Sequence, residues 1–101
     1  PAIESGFIDA ENRDALLKAI RRAQSWMGAI LDGKATSFEE FAADENIAER
    51  YVRRLAVLAY LSPRIIQAIV DGVAPNGLTV SSLSMGLPHA WAEQEAMIGL
   101  D

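Results

Sequence analysis

Apolar residues recur at helical spacing along most of the chain. Nowhere do they alternate with polar ones for long enough to predict a convincing strand. Leu16, Ile20, Ala23, Met27 and Ile30 fall at i, i+4, i+7, i+11 and i+14, and Leu17 and Leu31 widen that stripe. Lys18, Arg21, Arg22 and Ser25 lie on the other side. That side is expected first as a solvated face, and only second as a source of secondary phosphate contacts from Arg21 and Arg22. Trp26 borders the stripe and is expected to pack rather than to serve as a ligand platform. Asp9 supplies an N-cap and Gly33 a terminator, so a long helix is predicted over about 9–32. Residues 1–8 hold no periodic pattern and are expected as an extended or frayed lead-in.

The pattern changes over 37–61. Ser37 is a candidate N-cap, and Glu40 three residues later has capping-box spacing. Glu39 and Glu40 also fall where the positive end of the helix dipole favours carboxylates, which explains the acidic cluster better than a metal site does. Phe41, Ile47, Val52 and Leu55 are apolar, Ala42 is small, and Asn46 stands where the backbone needs a positive φ. Those positions predict a short helix, a tight turn and a second helix over about 48–61, the arrangement of a DNA-binding helix-turn-helix. At about 100° per residue, Ala48, Tyr51, Val52, Leu55, Leu58 and Ala59 share one face of that second helix. Glu49, Arg50, Arg53 and Arg54 fill the opposite face for two turns, after which Val57 and Leu61 take it over. The helix is therefore expected to be exposed in its N-terminal half and packed on both sides beyond it.

Ser62 and Pro63 supply an N-cap and a first-turn proline for a further helix carrying Ile65, Ile66, Ile69 and Val70, which stops near Asp71 and Gly72. Pro75, Asn76 and Gly77 predict a loop. Thr79 caps a short helix with Val80, Leu83 and Met85, ended by Gly86. Pro88 is expected to open a last helix with Trp91, Met97, Ile98 and Leu100. The predicted fold class is all-α: a five- or six-helix domain over 9–101, built on a helix-turn-helix at about 37–61.

Composition alters this picture in a few places. At 101 residues, with 50% hydrophobic and 23% charged side chains, the chain suits one globular domain with a modest core. Zero cysteines exclude a disulfide framework, a thiolate nucleophile and a cysteine-based zinc site. The chain has neither a leader-like start nor an apolar run of about 18 residues, so a cytoplasmic protein without a membrane partner is expected. It opens on Pro1 without Met, so a fragment of a longer protein is expected. The net charge of −5 argues against nucleic acid, but the distribution reverses the argument locally. Residues 47–64 carry four arginines and one glutamate, whereas 37–46 carry four carboxylates. Binding depends on the field at the phosphates rather than on the total charge.

The run SFEEFAADENIAERYVRRLAVLAYLSPRIIQAIVDG resembles the helix-turn-helix of the ParB/KorB family of partition and repressor proteins. The stretch 15–100 as a whole looks closer to the C-terminal region of bacterial site-specific recombinases of the resolvase (serine recombinase) type. The features that carry this likeness are Ala23 and Trp26, Ser37, the Glu49-Arg50-Tyr51-Val52 run, residues 58–63, Leu87-Pro88 and Trp91. Ala48 departs from the serine expected to cap the second helix, and Arg53 stands where relatives often carry a small residue, so no target sequence can be transferred.

The resemblance implies a module that docks a recombinase on double-stranded DNA through the major groove. The recombinase's serine nucleophile would lie in a separate domain, and any homo-oligomer would form through the parent protein. Glu49, Arg50, Arg53 and Arg54 are the expected DNA-binding residues. Arginines would contact phosphates or guanine edges, and Glu49 would accept from a cytosine amino group or orient an arginine. No catalytic residue, metal or cofactor is expected: His89 is the only histidine, Ser81, Ser82 and Ser84 lack a nearby base, and no glycine-rich phosphate loop occurs. Two alternatives stay open, a partition or repressor-type DNA-binding domain and a protein-interaction or oligomerisation helical domain.

Overall fold

The computed structural model describes residues 6–100 and is all-helical, with six α-helices and no strand among those residues. Residues 1–5 of the expected lead-in, and Asp101, lie outside the described stretch. Phe7 and Ile8 are extended as expected but not frayed, and Gly6 before them is in a 3₁₀ turn. Phe7 bridges Pro75, and the Ile8 N–H donates to the Ala74 carbonyl at 2.8 Å while Ile8 itself is buried.

Helix α1 spans Ala10–Leu31, capped by the Asp9 carboxylate accepting from the Asn12 N–H at 2.8 Å. Leu16, Ala19, Ile20, Ala23 and Trp26 form its buried stripe, and the later segments Glu49–Ala56, Val57–Tyr60, Pro63–Asp71 and Val80–Ser84 all pack against this helix. The expected stripe is correct as far as Trp26. Beyond it Met27 and Ile30 are only partly buried, and Leu31, expected to widen the stripe, is 83% exposed. The chain turns away at Gly33 immediately after it, so the last turn of α1 projects past the core.

Helix α2 spans Phe38–Glu45. Ser37 is its N-cap residue but makes no side-chain cap bond, so the expected capping box does not form. Glu40 turns instead to Thr36, accepting from both its N–H, at 3.0 Å, and its hydroxyl. Thr36 offers one carboxylate oxygen two donors where the Ser37 N–H offers one. At the other end Asn46 adopts φ 56°, ψ 49°, the left-handed conformation the sequence predicts. The Asn46 N–H reaches the Ala43 carbonyl and the Ile47 N–H the Ala42 carbonyl, the paired bonds of a Schellman turn.

Helix α3 spans Glu49–Ala56 and is shorter than predicted, because Val57–Tyr60 tighten into a 3₁₀ turn. Pro63 keeps Ser62 out of the α region, so the chain must leave the helix before it. The tighter i→i+3 turn brings both Leu58 and Leu61 into the core. Helix α4, Pro63–Asp71, has Ser62 as N-cap, with its hydroxyl accepting from the Arg64 N–H, and ends at a left-handed Gly72. Helix α5, Val80–Ser84, starts in a reciprocal Thr79–Ser82 capping box. Met85 lies just outside it and is 67% exposed.

Helix α6, Trp91–Met97, begins three residues after Pro88, so Pro88 does not open it and His89 sits in the bend before it. The reason is Gln94, which is fully buried. Its amide nitrogen donates to the carbonyls of Pro88 (2.8 Å) and Tyr60 (3.2 Å), and its Oε1 accepts from the Ser62 N–H at 2.7 Å. One side chain thus ties α6, the bend before it and the break between α3 and α4. Gln94→Ala should cost about 1–3 kcal/mol in denaturant melts, because the buried Ser62 N–H loses its acceptor. A variant as stable as the parent would show that water replaces the amide there.

One continuous cluster of buried side chains, from Ile8 to Leu83, joins α1 to every following element through α5. No helix among the described residues is long and apolar enough to cross a membrane.

Candidate nucleic-acid interface

The α2–turn–α3 segment sets the orientation of α3. The Asn46 turn reverses the chain, Phe41 and Ala42 of α2 are buried beside it, and α3 inserts Val52 and Leu55, 0% and 2% exposed. Ala48 at the N-cap makes no side-chain bond, which matches the absence of a capping serine. With the apolar side fixed, Glu49, Arg50, Arg53 and Arg54 face outward, in the half of the helix the sequence predicts. Tyr51, expected on the buried side, is 41% exposed because it lies at the edge of the apolar arc.

The four polar residues do not form a uniform face. Arg53 leans toward α2: it makes a two-nitrogen contact with Glu49 Oε2, at 3.0 and 2.5 Å, and lies 5.7 Å over the Phe38 ring. Arg54 leans the other way, donating from Nε to the Ser84 hydroxyl at 3.3 Å and from Nη2 to the Ser81 hydroxyl at 3.2 Å. Arg50 lies between them, exposed, with no hydrogen bond or ion pair from its side chain among the described residues. The sequence puts a carboxylate, Glu49, at i,i+4 from Arg53 alone, and of the three arginines only Arg50 lacks a side-chain partner among the described residues. Arg54 is held by hydroxyls alone, with no carboxylate bonded to it. The Arg53 side chain is 63% exposed, and an exposed i,i+4 pair is worth only about 0.3–0.5 kcal/mol, so it leaves Glu49 at little cost.

A second polar cluster, which the sequence does not reveal, joins the end of α2 to α1. Glu45 Oε2 accepts from the Trp26 indole N–H at 2.9 Å, and Oε1 accepts from Arg22 Nε at 3.0 Å. The guanidinium of Arg22 also lies 5.3 Å over the Trp26 ring, and that ring stacks on Phe41 with centroids 5.9 Å apart. Trp26 therefore packs, as expected, but its polar edge also holds a carboxylate. Arg22, expected on a solvated face, is paired. The indole bond, followed by the arginine, lowers the Glu45 carboxyl below its ordinary value of 4.5. The Thr36 hydroxyl and N–H lower Glu40 likewise.

Because these folded-state values lie below the unfolded ones, both carboxylates stabilise the fold above about pH 4.5, and the contribution fades as pH falls through the lower folded values. The melting-temperature gap between the parent and Glu45→Gln should therefore be largest near neutral pH and shrink toward pH of about 3. A gap independent of pH would assign the effect to packing alone.

His89 is exposed, and no group of three histidines or carboxylates among the described residues could hold a metal ion. Ser81 and Ser84 act as acceptors for Arg54. No family model, curated protein or solved structure matches the chain, so the chemistry of this surface follows from its own residues.

Proposed function

We propose that this chain is a helix-turn-helix module that binds double-stranded DNA, with the N-terminal half of α3 in the major groove. One observation supports it above the others. A short helix anchored by Val52 and Leu55, entered through a left-handed turn, turns three arginines and one glutamate outward on two successive turns. Arg50 is free to read a guanine edge, and Arg53 and Arg54 flank it with charges suited to phosphates on either side. In a chain of net charge −5, this local excess of cations favours binding near α3 and disfavours non-specific coating of DNA.

The larger role, positioning a site-specific recombinase on its target, rests on the sequence resemblance. The same surface would equally serve a partition or repressor protein. The interaction-domain alternative has one observation in its favour, the exposed Val57, Tyr60 and Trp91 beside the break after α3.

Fluorescence anisotropy against a randomised duplex library, repeated over a salt series, tests the proposal. A selected duplex should bind with a log–log salt slope of about −2 or steeper, the signature of two or more neutralised phosphates. No duplex binding, together with self-association in sedimentation, would favour the interaction domain instead.

A further inference from the structure

Beside the outward face of α3 lies an open cleft of about 410 Å³ between α1, α3 and α5. Its floor is built from small or apolar residues, Ala15 and Ala19 of α1 and Leu55 of α3, so the backbone of α1 stays low and accessible. Its polar lining is Lys18 and Arg22 from α1, Tyr51 and Arg54 from α3, and Ser81 from α5. No carboxylate lines it, in a chain with 14 acidic and 9 basic residues. Arg22 is partly neutralised by Glu45. Lys18 is exposed and has no hydrogen bond or ion pair among the described residues, and Arg54 meets only hydroxyls. Two uncompensated cations therefore converge with two hydroxyl donors, those of Tyr51 and Ser81, on one concave surface.

We infer that this cleft seats a phosphodiester of the DNA backbone flanking the groove that α3 enters, with Lys18 as the residue whose role the sequence does not disclose. The inference rests on the DNA-binding function proposed above. Arg54 lines the cleft and also belongs to the outward face of α3, so the two surfaces are continuous through it. A phosphate oxygen accepts from the ammonium, the guanidinium and the hydroxyls together, and the apolar floor lowers competition from water. The seat fixes orientation and reads no base, since everything it offers would be directed at the backbone. It brings a residue 32 positions upstream of Arg50 into the same interface.

Lys18→Gln is the informative variant, because an exposed helical lysine can be neutralised without touching the core or the Glu45 cluster. Its affinity should fall several-fold for every duplex alike, with base preference unchanged and the salt slope shallower by about one. In ¹H–¹⁵N spectra the duplex should shift the Arg54 Nε–H and the backbone amides around Lys18 and Ser81. Binding by the parent with an unchanged slope in Lys18→Gln would overturn the cleft assignment and leave the function of α3 standing. Absence of duplex binding by the parent would remove both. If inorganic phosphate at low millimolar concentration shifted the cleft signals and duplex did not, the backbone assignment would be replaced by a small phosphorylated ligand.

Discussion

Leu55→Ala is expected to lower the stability of the fold by about 2–5 kcal/mol. Leu55 is 2% exposed and lies on the buried side of α3 with Val52 and Ala56, within the cluster that joins α3 to α1. Truncation removes three carbon atoms and leaves a void that two short helices, held by the Asn46 turn and the Pro63 break, cannot easily close. A domain of this size is generally stable by about 5–15 kcal/mol, so the loss is a large share of the total. It should lower Tm on the order of 10 °C or more. Leu31→Ala is the matched control. Leu31 is 83% exposed at the projecting end of α1, and the same chemical change there should fall within about 0.5 kcal/mol. Urea melts with equal m-values would make the comparison clean. A loss below about 1 kcal/mol at Leu55 would mean that α3 is rotated from the register described, and the outward arginine face would fall with it.

What the sequence discloses, and what it hides, follows the range of the interactions involved. The Asp9 cap, the left-handed Asn46, the Ser62-Pro63 start of α4, the Gly72 stop and the Thr79 cap all involve neighbours within about four residues. Each leaves a mark in residue type at a fixed offset, and each is found as predicted. The continuous helix over 48–61 fails for a different reason. Periodicity cannot distinguish an α-turn from a 3₁₀ turn that keeps Leu58 and Leu61 in the core. Ser37 and Glu40 have the right spacing for a capping box, yet the competing donor pair on Thr36 wins. Spacing states which bonds are available, and only the assembled chain decides among them.

The candidate interface divides in the same way. Val52 and Leu55 fix which side of α3 is buried, so the outward placement of Glu49, Arg50, Arg53 and Arg54 is legible from the helical period. The i,i+4 pairing of Arg53 with Glu49 is also within reach of the sequence, because those positions are neighbours on any helix. The bonds from Arg54 to Ser81 and Ser84 are not, being 27 and 30 residues away in the chain. Nor is the grip of Gln94 on Ser62, 32 residues apart, or that of Glu45 on Trp26, 19 apart. Such contacts depend on how the helices stack. No local pattern specifies a glutamine as a keystone or a surface carboxylate as a clasp.

If α3 binds DNA as proposed, replacing Arg50, Arg53 and Arg54 together by alanine should abolish specific binding while leaving the helices in place. The stability cost is set by what each guanidinium does in the free protein. Arg50 makes no bond among the described residues, Arg53 gives up an exposed pair with Glu49, and Arg54 releases two serine hydroxyls. Ser84 retains its own bond to the Ser81 carbonyl, so no buried polar group is stranded. The combined loss should stay near 1 kcal/mol, visible as a small Tm decrease with an unchanged circular dichroism spectrum. Binding should respond far more. Two phosphate contacts, from Arg53 and Arg54, contribute about −2 to the log–log salt slope, and a base-contacting arginine contributes on the order of 1–3 kcal/mol of discrimination. Arg50→Ala alone should relax base preference, because it is the unpaired, central residue. Arg54→Ala should weaken all duplexes alike, as expected of a backbone contact. If the triple variant stays folded and binds the same duplex with the same salt slope, α3 is not the recognition helix. The apolar surface around Tyr60 and Trp91 would then become the better candidate for this domain's contact with its partner.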